Sequence, residues 1–362
     1  MYTKNFNLNK LPFENVPDPA FYFNQGAYAQ IRNRVKNSLT AGRGLIVVTG
    51  PIGSGKTTLS QMLISDYSDD LKLIWLAEPP NSCKSFFSFI LLELGLKTSS
   101  TERIFLLREI REVLLKRISA GKRCLIMIDE AHLMKKDLFE GIRILNNLED
   151  GSTKLIQILL LGQLEILEKL KRPEMIPFKQ RISWMEVIGK LNADSIKMYI
   201  SHRIKTAGGQ PTIFTKTGWE AIVLASGTAG GIPRVINTLC DRSLNAAFEK
   251  GKSAVDIDDI YEAAEDQGIA AELYHYRRMI KNKGKNPETG SIEEKSIAPL
   301  LPQVSMDADK KSDNSKQRIT QTANPAGLKA ARRLFLFSLG ILALSIIFYL
   351  SRINNFSVFL FE

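Results

Sequence analysis

Residues 45–58 combine a short apolar run with glycines, a lysine and threonines in an order typical of phosphate binding. Leu45–Thr49 has the composition of a buried strand, and the P-loop pattern Gly50-x4-Gly55-Lys56-Thr57 follows it directly. Glycines let the backbone turn so that its N–H groups point at phosphate oxygens, and the following helix adds its positive N-terminal end. The predicted loop consists of Gly50, Pro51, Ile52, Gly53, Ser54, Gly55, Lys56, Thr57 and Thr58. The alternative is a glycine-rich strand–helix turn that binds no ligand.

Two residues of this loop carry more specific chemistry. Lys56 can bring a mobile positive charge to the β- and γ-phosphates, and Thr57 can offer its hydroxyl to Mg²⁺. ATP and Mg²⁺ are therefore the expected ligands.

An acidic pair, Asp129 and Glu130, follows the apolar run Cys124–Ile128 about 70 residues after the P-loop. A strand that ends in two carboxylates is the Walker B pattern. Asp129 can hold Mg²⁺ through water opposite Thr57, and Glu130 is placed to polarise the attacking water. The alternative is a pair of solvated carboxylates at the end of a strand.

Two further polar residues are candidates for contact with the nucleotide. Gln163 follows the apolar run Lys154–Leu161, so it could sense the γ-phosphate from a strand tip between the two motifs, or it could simply end the strand. Arg234 follows Pro233 at the start of a predicted helix. It could reach back to the phosphates, although a single arginine at such a position is more often a surface residue.

The surrounding pattern predicts an α/β fold. Strand-like runs alternate with amphipathic helices over residues 27–190, which indicates a doubly wound parallel sheet whose ligand site lies at the carboxyl ends of the strands. The five predicted strands are Leu45–Thr49, Leu71–Ala77, Cys124–Ile128, Lys154–Leu161 and Trp184–Ile188. Residues 191–270 contain four helical segments without strong strand signals, and they predict a separate all-helical domain.

Residues 1–26 are rich in prolines and aromatic residues. Proline excludes a regular helix, and the aromatic side chains require a surface on which to pack. The segment is expected to be an irregular strap on the core. The alternative is that the strap closes over the adenine ring of a nucleotide.

The C-terminal quarter has a different composition. Residues 271–333 are polar and predict a disordered linker. Residues 334–350 are seventeen residues without a charge, which predicts a single transmembrane helix. Basic residues are more frequent before this span than after it, which places the catalytic domain in the cytoplasm and a short tail, residues 351–362, outside.

Charge and cysteine content exclude some classes of protein. The three cysteines are odd in number and unpaired in spacing, which argues against a disulfide framework or a zinc site and fits a reduced compartment. Met1–Phe13 lacks the apolar run of a cleavable signal peptide. Residues 276–333 carry 13 Lys/Arg against 6 Asp/Glu, whereas residues 1–275 carry 35 against 31. The basic excess therefore suits a segment beside an anionic membrane, and nucleic acid is an unlikely partner.

The motifs together resemble the ExeA/GspA (general secretion pathway protein A) family of AAA+ ATPases. The resemblance covers roughly residues 1–270. It is carried by Pro12-Phe13, Pro17-Asp18-Pro19, Phe21-Tyr22, Gly50–Thr58, Asp129-Glu130-Ala131, Leu148-Glu149, Gly162-Gln163, Gln180-Arg181-Ile182 and Gly231-Ile232-Pro233-Arg234.

The resemblance implies a five-stranded AAA+ P-loop sheet sandwiched by helices and followed by a helical lid. It identifies Gln163 as the sensor-1 residue, Arg234 as the sensor-2 arginine, and Arg181 as an arginine finger donated to the ATP of a neighbouring subunit. A homo-oligomer is therefore expected. His132 departs from the glutamine that the family usually has there. Only residues 351–362 follow the predicted span, so the periplasmic peptidoglycan-binding region of the secretion member is not carried over.

These features predict an ATP hydrolase anchored by one span in the bacterial cytoplasmic (inner) membrane. There it would drive or gate the assembly of a secretion, pilus or polysaccharide-export complex through an inner-membrane partner. One alternative is a DNA-handling AAA+ ATPase of the transposition-helper or initiator type. Another is a nucleotide-gated scaffold that binds ATP but hardly turns it over.

Overall fold

A five-stranded parallel sheet forms the centre of the computed structural model, which describes residues 1–66, 71–97, 100, 102–151 and 153–283. The strands in chain order are β1 (Leu45–Thr49), β2 (Leu71–Leu76), β3 (Arg123–Ile128), β4 (Glu149–Asp150), β5 (Thr153–Lys154), β6 (Gln157–Gly162) and β7 (Trp184–Val187). In the main sheet the spatial order is β2-β3-β6-β1-β7, and β4 and β5 form a small antiparallel hairpin. Consequently β6 lies between the P-loop strand β1 and the acidic strand β3.

Helices surround this sheet and form the domain that follows it. They are α1 (Tyr2–Asn5), α2 (Gly26–Thr40), α3 (Lys56–Ser65), α4 (Cys83–Glu93), α5 (Arg103–Ser119), α6 (Lys136–Asn146), α7 (Glu165–Leu170), α8 (Ile176–Lys179), α9 (Ala193–Thr206), α10 (Lys216–Thr228), α11 (Pro233–Glu249), α12 (Ile257–Glu265) and α13 (Ala271–Lys283).

Both faces of the sheet are buried, as the continuous apolar strands predict. Successive side chains of a strand point to opposite faces. On β1, Ile46 and Val48 therefore pack with α2, α3 and the strap, whereas Leu45 and Val47 pack with α4, α5 and α6. The sandwich of helices around a parallel five-stranded sheet is confirmed.

The four helices predicted between residues 191 and 270 are α9–α12, and we call this helical domain the lid. Local capping explains two of its boundaries. The side chain of Asn192 accepts a hydrogen bond from the backbone of Ser195 at the start of α9. The Asp256 side chain accepts from two backbone N–H groups and caps α12.

Three differences from the predicted elements are larger than a shift of one residue at the end of a strand. β6 begins at Gln157 rather than Lys154, because Thr153–Lys154 pairs with Glu149–Asp150 in the hairpin. The strap contains a single α-helical turn, α1, which precedes its first proline.

The third difference concerns the predicted linker. Its first residues are the helix α13, which packs on α10 and α12, so disorder from residue 271 was wrong at this end. The cause is apolar burial in an otherwise polar segment, since Leu273 is fully buried. The remainder of the predicted linker, the span 334–350 and the tail 351–362 lie outside the described residues. Within the part of the chain that the structure describes, no helix has the length and apolar character needed to cross a membrane.

Candidate active site

The P-loop joins the end of β1 to the start of α3 and has the backbone that its glycines allow. Gly53 and Gly55 have φ angles of 76° and 92°, a region that other residues rarely adopt. The Lys56 Nζ donates hydrogen bonds to the backbone oxygens of Gly50 and Pro51, at 3.0 and 2.9 Å. The buried Oγ of Ser54 has no hydrogen-bond partner among the described residues. A lysine folded back over its own loop and an unpartnered hydroxyl fit a site for a phosphate group.

The predicted metal ligands meet at the base of this loop. The Thr57 Oγ1 donates to Asp129 Oδ2 at 2.8 Å, and the backbone N–H of Glu130 donates to Asp129 Oδ1 at 2.9 Å. Asp129 is only 3% exposed. Burial raises the pKa of Asp129 above its ordinary value, although the hydrogen bond from Thr57 acts against this shift. A buried hydroxyl–carboxylate pair beside a phosphate-binding loop fits Mg²⁺, which prefers oxygen ligands.

Electrostatics at Lys56 are governed by the same burial. Desolvation lowers the pKa of Lys56, and the carboxylates of Glu130 and Asp129 act in the opposite direction. The lysine and the two acidic residues therefore share one partly dehydrated region. The negative charge of a bound triphosphate would stabilise the charged form of Lys56 there.

Glu130 occupies an unusual position at the tip of β3. Its φ is 48°, in the left-handed region that non-glycine residues seldom adopt. Gln163, at the tip of β6, has its Nε2 at 3.4 Å from Glu130 Oε2. The Nδ1 of His132 lies 3.2 Å from the same oxygen. Two side chains from different segments therefore flank one oxygen of the candidate base.

His132 is a residue whose position the sequence did not reveal. The residue departs from the glutamine of the family pattern, and in the structure it lies against Glu130. Gly162 allows this approach, because a Cβ at Gly162 would lie 3.0 Å from the His132 backbone nitrogen. The Lys169 Nζ donates to the backbone oxygens of His132 and Met134 and holds the turn.

The lid reaches the P-loop through the start of α11. The backbone N–H of Arg234 donates to the backbone oxygen of Gly53 at 3.2 Å. A Cβ on Gly53 would lie 2.5 Å from the Cβ of Arg234, so only glycine permits this packing. Arg234 therefore lies beside the P-loop, and its contact with the phosphates stays a prediction.

The P-loop from Ile52 to Thr58 lines one cleft together with Glu130, Gln163 and Arg234. The rest of the cleft wall is built by the strap, by Tyr28 of α2 and by the lid. The sequence predicted a strap that could close over a nucleotide, but it did not indicate Tyr28, Tyr199 or Asn237. The Tyr28 hydroxyl donates to the Ser54 backbone oxygen at 3.1 Å. Members of this wall include Asn15, Asp18, Tyr22, Tyr28, Tyr199, Arg203 and Asn237.

Arg181 is the predicted site residue that the chain does not bring to the cleft. It lies exposed in the turn between α8 and β7, where its backbone N–H donates to Phe178. It is close enough to Glu149 to help lower the pKa of that carboxyl group, after the larger effect of Lys154. Arg181 does not line the cleft of its own chain.

Comparison with known proteins supports the resemblance. A family profile described as an AAA domain matches residues 39–170. General secretion pathway protein A of Aeromonas hydrophila is 32% identical over 274 residues. That alignment covers 75% of this chain and 50% of the relative, so the chain spans about half the length of the curated relative it matches.

Several solved structures share the fold. The Aeropyrum pernix ORC2 protein aligns with a TM-score of 0.52 at 15% identity, over 71% of each chain. Cdc6p of Pyrobaculum aerophilum aligns with a TM-score of 0.53 at 16% identity, over 69% of this chain and 71% of that one. The Aeropyrum pernix ORC1 protein, solved in complex with DNA, has a TM-score of 0.51 at 16% identity, over 71% of this chain and 69% of that one. Identities this low show the fold alone. Together with the P-loop, the acidic strand and the helical lid, these similarities relate the chain to general secretion pathway protein A and place an AAA domain within it.

Proposed function

We propose that this chain binds ATP with Mg²⁺ in the cleft between the P-loop and the lid, and hydrolyses it to ADP and phosphate. The observation that carries this proposal is the convergence of three neighbouring strand tips. β1 leads to Lys56 and Thr57, β3 to Asp129 and Glu130, and β6 to Gln163. A simple glycine-rich turn would not require this set.

Each residue has a role that its position supports. Lys56 and the N-terminus of α3 bind the phosphates, and Thr57 and Asp129 hold Mg²⁺, which neutralises phosphate charge when bound. Glu130 orients the attacking water and accepts its proton, and Gln163 lies beside it at the γ-phosphate end. Arg234 connects the state of the nucleotide to the lid.

The active unit in this proposal is a homo-oligomer in which Arg181 reaches the ATP of the next subunit. Arg181 is exposed and does not line the cleft of its own chain, as a finger that acts between subunits requires. Three exposed apolar side chains lie on this part of the surface: Leu133 is 54%, Leu164 40% and Ile176 51% exposed. Leu133 lies in the turn after β3, Leu164 precedes α7 and Ile176 begins α8. Helix α7 packs against both that turn and α8. A subunit interface would remove them from water.

The cellular role that we propose is the driving or gating of an envelope assembly in the bacterial inner membrane. The relative named general secretion pathway protein A supports the secretion setting. The apolar residues 334–350 support an anchor. The partner would be an inner-membrane component of a secretion, pilus or polysaccharide-export complex.

The decisive experiment measures ATP binding and hydrolysis by the full chain and by two variants. Lys56→Ala is expected to lose binding. Glu130→Gln is expected to retain ATP while kcat falls by about 10²–10⁴-fold, since general-base catalysis supplies an acceleration of that size. If wild type and Glu130→Gln hydrolyse ATP at the same rate, the proposed mechanism is wrong. If neither binds ATP, the proposed function is wrong.

The DNA-handling alternative and the scaffold alternative predict different results. Stimulation of hydrolysis by DNA would favour the first, and recovery of the chain in the membrane fraction would count against it. A scaffold should assemble normally with Glu130→Gln, whereas a working motor should stall with this variant in its assembled complex.

A further inference from the structure

A buried polar network connects the strap to the lid across the wall of the cleft. Arg203 of α9 is 7% exposed, and its guanidinium donates to the backbone oxygens of Pro12 and Glu14 in the strap. It also donates to the hydroxyl of Tyr199 at 3.0 Å and lies 4.6 Å from the ring centre of Phe21. One arginine of the lid therefore contacts the strap at Pro12, at Glu14 and at Phe21.

The network continues through α11 and returns to the strap. The Tyr199 hydroxyl donates to Asn237 Oδ1 at 2.8 Å, and Asn237 Nδ2 donates to Asn15 Oδ1 at 3.1 Å. Asn15 in turn donates to the Thr238 hydroxyl at 3.2 Å. Because Tyr199 and Asn237 are buried, the loss of one partner would leave another polar group unsatisfied.

The rest of the early strap is bonded to the same domain. The Tyr2 hydroxyl donates to Asp241, the Asn5 side chain to the backbone oxygen of Lys252, and the Asn9 N–H to Ala207. In the described part of the chain, every hydrogen bond that joins residues 1–18 to a segment outside the strap ends on the lid. The first such bond to α2 comes later, from Tyr22 to the backbone oxygen of Tyr28. The strap precedes the sheet in sequence but is bonded to the domain that follows it.

The position of this network gives it a role in nucleotide binding. Asn15, Tyr199, Arg203 and Asn237 all line the cleft. Asn237 lies one turn along α11 from Arg234, whose backbone contacts Gly53 of the P-loop. The helix that contacts the P-loop therefore also holds the strap.

We propose that residues 1–18 and the lid form a single jaw that closes on the nucleotide, with Tyr199 and Asn237 as the positioning residues that keep the strap on the lid. This inference rests on the proposed binding of ATP. Movement of the lid carries the strap with it, and the strap does not open and close on its own.

The first test removes one hydroxyl from the network. Tyr199→Phe retains the ring, and Asn15→Ala breaks the same connection from the strap side. For both variants we expect amide hydrogen exchange of residues 10–18 to become several-fold faster. The Kd for a fluorescent ATP analogue should rise about 5- to 10-fold, with kcat at saturating ATP within twofold of wild type. Tyr276→Phe removes a hydroxyl of α13 that is bonded to Glu220 of the lid outside the cleft, and it is the matched control.

The second test joins strap and lid covalently. A Cβ on Gly208 would lie 3.5 Å from the Cβ of Asn9, within the separation of about 3.5–4.5 Å found in disulfides. The three native cysteines are buried. The oxidised double variant Asn9→Cys/Gly208→Cys is expected to bind and hydrolyse ATP as its reduced form does, and the single variants measure the strain at Gly208.

Each outcome decides the matter. If oxidation abolishes turnover and reduction restores it, the strap must leave the lid during the cycle and the single-jaw proposal is overturned. It is also overturned if both Tyr199→Phe and Asn15→Ala match Tyr276→Phe in exchange and affinity. If wild type binds no ATP analogue, the proposed function fails, while the exchange measurement still reports on the strap.

Discussion

At the scale of the residue, the site combines burial with charge, and this combination costs stability in the absence of ligand. Asp129 is almost fully buried, its only described side-chain donor is Thr57, and its carboxyl pKa is raised. Between its ordinary pKa of 3.8 and the raised folded value, the folded state binds more protons than the unfolded state. The contribution of Asp129 to stability is therefore greatest at low pH and falls as the pH rises.

We expect Asp129→Asn to stabilise the nucleotide-free protein at pH 8 and to change it little at pH 4. The increase in Tm should be ~2–4 °C, the shift that ~1 kcal/mol produces in a domain of this size. Thermal unfolding in EDTA at the two pH values measures this. A variant that is less stable than wild type at pH 8 would contradict the expectation. The same variant should lose the dependence of ATP binding on Mg²⁺.

The second prediction at this scale concerns His132 and the orientation of Glu130. His132→Ala removes a side chain that lies 3.2 Å from the carboxylate and should lower kcat by about 10-fold, because misplacement of a reacting group is costly. The KM for ATP should stay within twofold. His132→Gln keeps a polar nitrogen beside the carboxylate and should preserve most of the rate. Equal rates for Ala and Gln would show that His132 only fills space.

At the scale of the element, the contact between α11 and the P-loop depends on the absence of a side chain at Gly53. Gly53→Ala introduces strain at positive φ and a collision with Arg234. Gly42→Ala introduces comparable strain at φ 71°, with nothing within 4 Å of the new methyl group. Both substitutions therefore strain the backbone to a similar extent, but only Gly53→Ala disturbs the contact with the lid.

We expect Gly42→Ala to lower Tm slightly, by an amount that corresponds to ~1 kcal/mol, and to leave the ATP affinity unchanged. Gly53→Ala should weaken ATP binding by at least about 10-fold, since it displaces the lid as well. Titration with a fluorescent ATP analogue and thermal unfolding of both variants provide the measurement. Equal affinities would mean that the lid contact does not contribute to binding.

The sequence was sufficient for elements whose signals are local. The apolar run of β1, the glycines of the P-loop and the caps of the lid helices lie within a few residues of the features that they produce. The start of β6 was misplaced because Thr153 and Lys154 pair across a hairpin. The attachment of the strap to the lid could not be predicted, because Arg203 and Pro12 are 191 positions apart and a single sequence carries no sign of such a pair.

At the scale of the whole molecule, the chain separates Arg181 from the remainder of its proposed site. Glu130→Gln subunits retain the finger but lack the base, and Arg181→Ala subunits retain the base but lack the finger. A mixture of the two variants is expected to recover a fraction of wild-type hydrolysis, while each alone remains low, because a finger contributes about 10³–10⁵ in related enzymes. Mixing at increasing total concentration measures this. A mixture with no more activity than its components would show that Arg181 does not act between subunits.

Both ends of the described chain are fastened to the same domain. Residues 1–18 are bonded to the lid, and α13 is held to it by the Tyr276–Glu220 pair and by Arg277 and Lys281 on Asp258. Among the described residues, no hydrogen bond or ion pair ties residues 1–18 or α13 to the sheet. A mechanical load applied at either end of these residues, by a fused protein or by a tethered bead, is thus borne first by the lid.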